Sequence, residues 1–192
     1  MKRKSKLNYI PLFLITILSI LWFDSANKKK SLENTYNLLE ISDNEVNNNF
    51  YDITGYFFAI DGDSLRKKDI EIRLLEIDSP EYRQTCFDKN DKEYECGKVS
   101  TNFLRKLVKD SKLNCKYQKK DMYDRYLASC YDGDKNINHE MIKNGMAIIY
   151  NINQASHRAK ELEKQARDNK IGIWQGKFLS PKEFRKMTKN ER

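Results

Sequence analysis

The first 50 residues hold one uninterrupted apolar block. Leu7 to Phe23 carries no charge, follows Lys2, Arg3, Lys4 and Lys6, and precedes Lys28, Lys29 and Lys30. A basic flank before an apolar run is the layout of an export segment, and its seventeen residues also sit at the lower edge of the roughly 17–25 that span a bilayer. Residues 1–26 therefore read as a signal peptide or an N-terminal membrane anchor, with membrane contact through residues 7–23 if the segment stays uncleaved. Both readings place the remainder outside the cytoplasm, secreted, periplasmic or anchored. Residues 27–50 are polar, rich in asparagine and without sustained periodicity, which reads as a linker.

From Tyr51 onward the pattern becomes that of a folded domain. Ile53 to Ile60 is rich in β-branched and aromatic residues and ends at Asp61-Gly62, a strand followed by a tight turn. Ile70, Ile72 and Leu74 alternate with Asp69, Glu71 and Arg73, giving a strand with one buried face and a polar face that carries Arg73. The spacing turns helical from Gly97 to Lys109, where Val99, Phe103 and Leu107 recur every fourth residue beside Leu104 and Val108. Leu113 to Tyr117 and Arg125 to Tyr131 read as two strands joined by a charged loop. Helices are expected over Asn138 to Asn144, ending at Gly145, and over Ser156 to Asn169, ending before Gly172. Strands, helix, strands, helices is the order of a small antiparallel barrel with helices packed on it, a mainly β member of the α+β class. Residues 51–176 form this domain, and 177–192 read as a basic C-terminal tail.

Composition permits one core and little more. The chain has 192 residues, with 36 Lys plus Arg against 28 Asp plus Glu, and 39% hydrophobic residues. Seven Gly and three Pro exclude collagen-like and Gly/Pro linker chains. The net charge of +8 invites a polyanion or an anionic membrane, but its distribution says more. Residues 1–30 carry net +6, residues 31–100 net −8, and residues 101–192 net +10. The four cysteines add a compartment. Cys115 and Cys130 lie symmetrically about the charged loop, and Cys86 and Cys96 bracket nine residues. Of three connectivities, Cys86–Cys96 with Cys115–Cys130 is favoured, formed where thiols oxidise. Zinc is disfavoured because no Cys-x-x-Cys is present and both histidines fall in predicted helices or at their starts.

The candidate chemistry lies between Ile60 and Glu81. Asp61, Asp63, Asp78 and Glu81 fall near two strand ends, with Arg73 between them. Carboxylates that converge from separate strands make an oxygen-only site for Ca²⁺ or Mg²⁺. An EF-hand fails, because Arg66 stands at the position that needs glycine and Ile72 at the twelfth. Taken singly, Asp61-Gly62-Asp63 and Asp78-Ser79-Pro80-Glu81 are ordinary turn sequences.

Together they are more specific. Ile60-Asp61-Gly62-Asp63-Ser64, Arg73-Leu74-Leu75-Glu76-Ile77-Asp78-Ser79-Pro80-Glu81 and Asp121-Met122-Tyr123-Asp124-Arg125 occur in that order, followed by Asn138 to Gly145 and Ile171-Gly172-Ile173-Trp174. This series resembles the staphylococcal nuclease (thermonuclease) family over about residues 53–176, and Gln84-Thr85-Cys86 with Cys96-Gly97 resembles its secreted bacterial branch. The resemblance implies a five-stranded OB-fold barrel with three packed helices, acting as a monomer. It further implies Ca²⁺-dependent hydrolysis of DNA and RNA, with little sequence preference, to 3′-phosphate products. By the same resemblance, Asp63, Asp78 and the Ser79 carbonyl hold one calcium ion, Glu81 is the general base, and Arg73 and Arg125 stabilise the transition state. Tyr123 and Tyr150 are implied as substrate contacts.

Elementary chemistry agrees with that assignment. A phosphodiester is anionic and repels hydroxide, so a catalyst needs fixed positive charge at phosphorus, and guanidinium forks match phosphate oxygens. The sequence departs from the family in places. Ser64 and Ser79 stand where Thr is common, Met122 where some members carry Lys, and Asp124 where Gly usually precedes the second arginine. Asp124 tolerates a left-handed backbone but adds negative charge beside Arg125. The competing reading is a non-catalytic OB-fold module that holds single-stranded nucleic acid, tethered to the membrane.

Overall fold

The computed structural model describes residues 50–190. The export segment at 1–26, its apolar stretch 7–23 and nearly all of the 27–50 linker lie outside the described residues. Among those described, no helix is long and apolar enough to cross a membrane.

In chain order the strands are β1 (Tyr51–Tyr56), β2 (Phe58–Ala59), β3 (Ser64–Lys67), β4 (Ile70–Leu74), β5 (Ile77–Asp78), β6 (Cys86–Phe87), β7 (Glu93–Tyr94), β8 (Lys112–Lys120), β9 (Tyr126–Asp132), β10 (Lys135–Asn136) and β11 (Ile148–Ile149). The helices are α1 (Cys96–Val108), α2 (Ile137–Lys143), α3 (His157–Asp168) and α4 (Pro181–Asn190), with a 3₁₀ turn at Gly172–Gln175. The main sheet runs β1-β8-β9-β4-β3-β2, with β10 added to β9. Its two ends, β1 and β2, are separated in sequence by Phe57 alone. A flat sheet cannot meet that constraint, so the sheet curls into a half-barrel, the OB-like α+β architecture expected. The single strand expected over Ile53 to Ile60 breaks at Phe57, whose ring turns into the core while Tyr56 and Phe58 stay exposed.

One pairing departs from the antiparallel expectation. β4 and β9 run parallel, with Ile72, Arg73 and Leu74 in register with Tyr126, Leu127 and Ala128. A parallel pair needs a crossover rather than a hairpin, and the chain from Leu75 to Arg125, including α1 and β8, provides it. β8 and β9 are antiparallel, and Cys115 faces Cys130 across them. Those two are bonded, as are Cys86 and Cys96.

The core gathers Leu65, Ile72, Leu74, Leu104, Leu113, Met141 and Ile142, all buried, between the concave face of the sheet and the helices. α1 presents Leu104 and Val108 to that core, with Ser100 and Thr101, whereas Val99 is exposed. The seam is thus one position later than the Val99–Phe103–Leu107 repeat. Helix starts follow local capping: the Asn136 side chain accepts from His139 N, and the Ser156 side chain from Ala159 N. His139 and His157 therefore stand in first turns, as expected.

The stretch read as a tail contains a fourth helix. Ser180-Pro181-Lys182-Glu183 is a capping box with proline at the first helical position. Ser180 N donates to Glu183 Oε2 at 2.9 Å and Glu183 N donates to Ser180 Oγ at 3.3 Å.

Candidate active site

Asp63 precedes β3 and is brought to the site by the turn Asp61-Gly62-Asp63. Asp61 Oδ1 accepts from Asp63 N at 3.0 Å, the local bond that shapes an Asx turn. Gly62 has to be bare: a Cβ there would stand 2.3 Å from Ser79 Oγ and 2.5 Å from Ser100 Oγ. Across the β3–β4 ladder Ser64 faces Arg73, so the alternation that buries Ile72 and Leu74 aims Arg73 toward the Asp63 turn. The Arg73 guanidinium pairs with Asp63 Oδ1 through Nη1 and reaches Asp78 Oδ1 through Nη2 at 3.0 Å. Burial pulls Arg73 below its ordinary value. Asp78 and Asp61 oppose that shift, and the nearby Arg125 adds to it.

Asp78 ends β5, a strand of two residues that pairs with β11. Its side chain is 3% exposed. Ser79 N donates to Asp63 Oδ2 at 2.9 Å, so the second carboxylate-bearing turn is tied to the first. Glu81 follows Pro80, half exposed. Its backbone is clamped from behind: Gln84 N donates to the Glu81 carbonyl at 2.7 Å, and Glu81 N donates to Gln84 Oε1 at 3.2 Å. The start of α1 presses so close that a Cβ on Gly97 would sit 1.7 Å from that carbonyl oxygen. The Cys86–Cys96 bond holds the same corner.

The parallel β4–β9 register sets Leu127 beside Arg73, which brings Arg125 to the same end of the barrel. Asp121 Oδ2 accepts from Arg125 Nε at 2.8 Å and from Nη2 at 2.7 Å. Asp124 adopts φ 64°, the left-handed backbone expected of the turn. Its carboxylate pairs with Lys120 Nζ at 2.8 Å, so the extra charge is taken up there and not by Arg125. Met122 is exposed, and Tyr123 lies with its ring 5.4 Å from the Arg125 guanidinium. Tyr150 is placed by two bonds around Glu76. Tyr150 N donates to the Glu76 carbonyl at 2.8 Å, and Glu76 Oε1 accepts from Ser156 N at 2.9 Å.

These elements enclose a cleft of about 670 Å³ whose lining includes Asp63, Arg73, Glu81, Arg125, Tyr123 and Tyr150. Asp78 and Ser79 lie directly beneath it, bonded to Arg73 and Asp63 respectively. One further member of the lining was not read from the sequence. Arg185, from α4, donates from Nη1 to Asp78 Oδ1 at 3.0 Å and Glu81 Oε1 at 2.7 Å, and from Nη2 to Asp78 Oδ2 at 2.9 Å. The Asp78 bond, followed by the Glu81 bond, drives Arg185 above its ordinary value, so it stays charged. The capping box at Ser180 could have signalled the helix, but nothing local signals where its arginine goes.

Among the described residues, no three His, Cys, Asp or Glu side chains converge as a ready-made metal cluster. The two buried carboxylates of Asp63 and Asp78, bridged by Arg73, nevertheless form an oxygen-only pair. Such a donor set suits one hard cation whose other ligands are carbonyl and water.

Comparison with known proteins gives a consistent result. Residues 71–176 match the family described as "Staphylococcal nuclease homologue". An "Uncharacterized endonuclease" of Haemophilus influenzae is 35% identical over 137 residues, covering 67% of this chain and 70% of that protein. "Succinoglycan biosynthesis protein ExoI" of Rhizobium meliloti is 30% identical over 124 residues, 64% of each chain. "Probable endonuclease lcl3" of Botryotinia fuckeliana is 27% identical over 145 residues, 68% of this chain and 53% of its own. Of the last two, the chain spans less than two thirds of the length.

Proposed function

The chain belongs to the staphylococcal nuclease homologue family, and from that premise we propose that it is an exported, calcium-dependent nuclease hydrolysing phosphodiester bonds of DNA and RNA. The observation that carries the proposal is the cleft, which collects Glu81 as a carboxylate base candidate, the guanidinium groups of Arg73 and Arg125 and the buried Asp63, with Asp78 bonded to Arg73, groups that lie far apart in sequence. Asp63 and Asp78, with the Ser79 carbonyl, are the groups that would hold one Ca²⁺, which when bound adds positive charge at the scissile phosphate.

The protein's own groups carry the remaining steps. Glu81 takes a proton from a water molecule, and the water oxygen bonds to phosphorus. Arg73 and Arg125 hold the charge that builds on the non-bridging oxygens of the five-coordinate state. The bond from phosphorus to the 5′-oxygen breaks, that oxygen takes up a proton, and the products are a 3′-phosphate and a 5′-hydroxyl. Tyr123 and Tyr150, both exposed at the rim, suit stacking or hydrogen bonding with a nucleotide. All of these groups come from one chain, so the reading needs no second copy. The two disulfides favour an oxidising compartment.

The test is incubation of the purified full chain with plasmid DNA and with RNA, in Ca²⁺ and in EDTA. Cleavage in Ca²⁺ and none in EDTA is the expected result. Glu81→Gln should lower the cleavage rate by about 10²- to 10⁴-fold with nucleic-acid affinity retained; unchanged turnover removes Glu81 as the base. Intact substrate in Ca²⁺, with binding that survives EDTA, would assign the non-catalytic binding module instead.

A further inference from the structure

α4 is fastened at one end. Gln84 Nε2 donates to the Leu179 carbonyl at 2.8 Å, Phe87 N to the Lys177 carbonyl at 2.8 Å, and the Trp174 and Phe178 rings meet edge to face at 5.0 Å. Ser180 caps the helix and Pro181 is buried. Beyond Pro181 the packing thins. Phe184, Arg185 and Thr188 are half-buried, while Lys182, Glu183, Lys186, Met187 and Lys189 are exposed. The free part of the helix is therefore held over the cleft chiefly by the polar contacts of Arg185.

Those contacts occupy three of the roughly four lone-pair sites of Asp78. Its Oδ1 accepts from Arg73 Nη2 and Arg185 Nη1, both at 3.0 Å, and its Oδ2 from Arg185 Nη2 at 2.9 Å. One lone pair remains on Oδ2, beside Arg185 Nη2, so a divalent ion ligated there would stand against the guanidinium and repel it, the more strongly because the Asp78 side chain is only 3% exposed. Arg185 Nη1 also engages Glu81 Oε1 at 2.7 Å, so the same side chain occupies the proposed base. With Arg73 already on Asp78, a positioning role that left Arg185 in place as well would require the cation to share Asp78 with two guanidinium groups, which this geometry disfavours.

We propose that α4 is an autoinhibitory strap: Arg185 neutralises Asp78 and Glu81 in the cation-free chain, and a divalent cation at Asp78 expels the guanidinium and frees the helix from the cleft. The proposal rests on the reading of Asp78 as a calcium ligand. Closing and cation binding then compete, and a strap closed ten to one weakens the apparent cation affinity about tenfold.

The test uses the full chain and two readouts other than activity. Calorimetric titration with Ca²⁺ should give about tenfold tighter binding to Arg185→Ala than to the wild type, and a similar gain for Arg185→Gln, which preserves helix propensity and a polar side chain but removes the charge. Hydrogen exchange of the wild type, which needs no variant, should be faster at residues 184–190 in Ca²⁺ than in EDTA. Equal affinities with unchanged exchange overturn the strap and leave the calcium reading intact. Weaker binding by both variants overturns it in favour of a supporting role for Arg185. No Ca²⁺ binding by any of the three proteins overturns the calcium reading and the strap with it.

Discussion

Asp121 illustrates how a single residue sets the site. Its carboxylate accepts four bonds, from the Arg125 Nε and Nη2 groups and from the backbone N–H groups of Tyr123 and Arg125. Burial alone would raise its pKa; the Arg125 side chain and the two N–H groups outweigh that and hold it below the ordinary 3.8. Because the folded value is the lower one, this contribution to stability is complete above pH 3.8 and is lost as pH falls through the folded value. Asp121→Asn should release the Arg125 fork and lower kcat/KM for cleavage by about 10²-fold, the scale of an angstrom's misplacement. Its stability deficit against wild type, read by urea unfolding, should shrink as pH drops below 3.8. At Gly97 it is the missing side chain that matters. Gly97→Ala would push a methyl into the Glu81 carbonyl, and thermal unfolding should show a loss of about 1–3 kcal/mol.

At the scale of elements, the corner built from β6, β7, the start of α1 and the Glu81 turn is what holds the base. Gln84 is fully buried there and bonds the Glu81 turn, the Gly97 amide and the Leu179 carbonyl. The Cys86–Cys96 bond closes this corner over a separation of ten residues. Replacing both cysteines by Ala should cost about 2–3 kcal/mol by denaturant unfolding, with cleavage falling further than the unfolded fraction explains, since the loosened corner carries Glu81. Elements of this kind were unevenly legible. The α1, α2 and α3 helices announced themselves through spacing and, for the last two, through Gly145 and Gly172 beyond their ends, while the caps at Asn136 and Ser156 became visible in the fold. β5 and β11 did not, because two residues have no period, yet their pairing places Asp78 and leads into Tyr150.

Beyond the net +6 of residues 1–30, the chain carries its charge in two blocks, net −8 over residues 31–100 and net +10 over residues 101–192. The first contains Asp63, Asp78 and Glu81; the second supplies Lys112, Lys116, Lys119 and Lys120 along β8, largely exposed. Binding of single-stranded DNA in EDTA should weaken steeply with salt, log K falling by about 0.7 per neutralised phosphate for each unit of log salt. Lys119, at the cleft wall, should contribute about one such contact, so Lys119→Ala should reduce the slope by about that amount in fluorescence titrations across salt. The sequence by itself determined whatever is written within a few neighbouring residues: the two-residue alternation of β4, the helical repeats with the glycines that end them, and the turns that carry Asp63, Asp78 and Glu81. It did not determine that β4 and β9 run parallel, or that Arg185 crosses 107 residues to reach Asp78. Periodicity records which face of an element is buried but not which element covers it, so those partners were decided only when the half-barrel curled and packed.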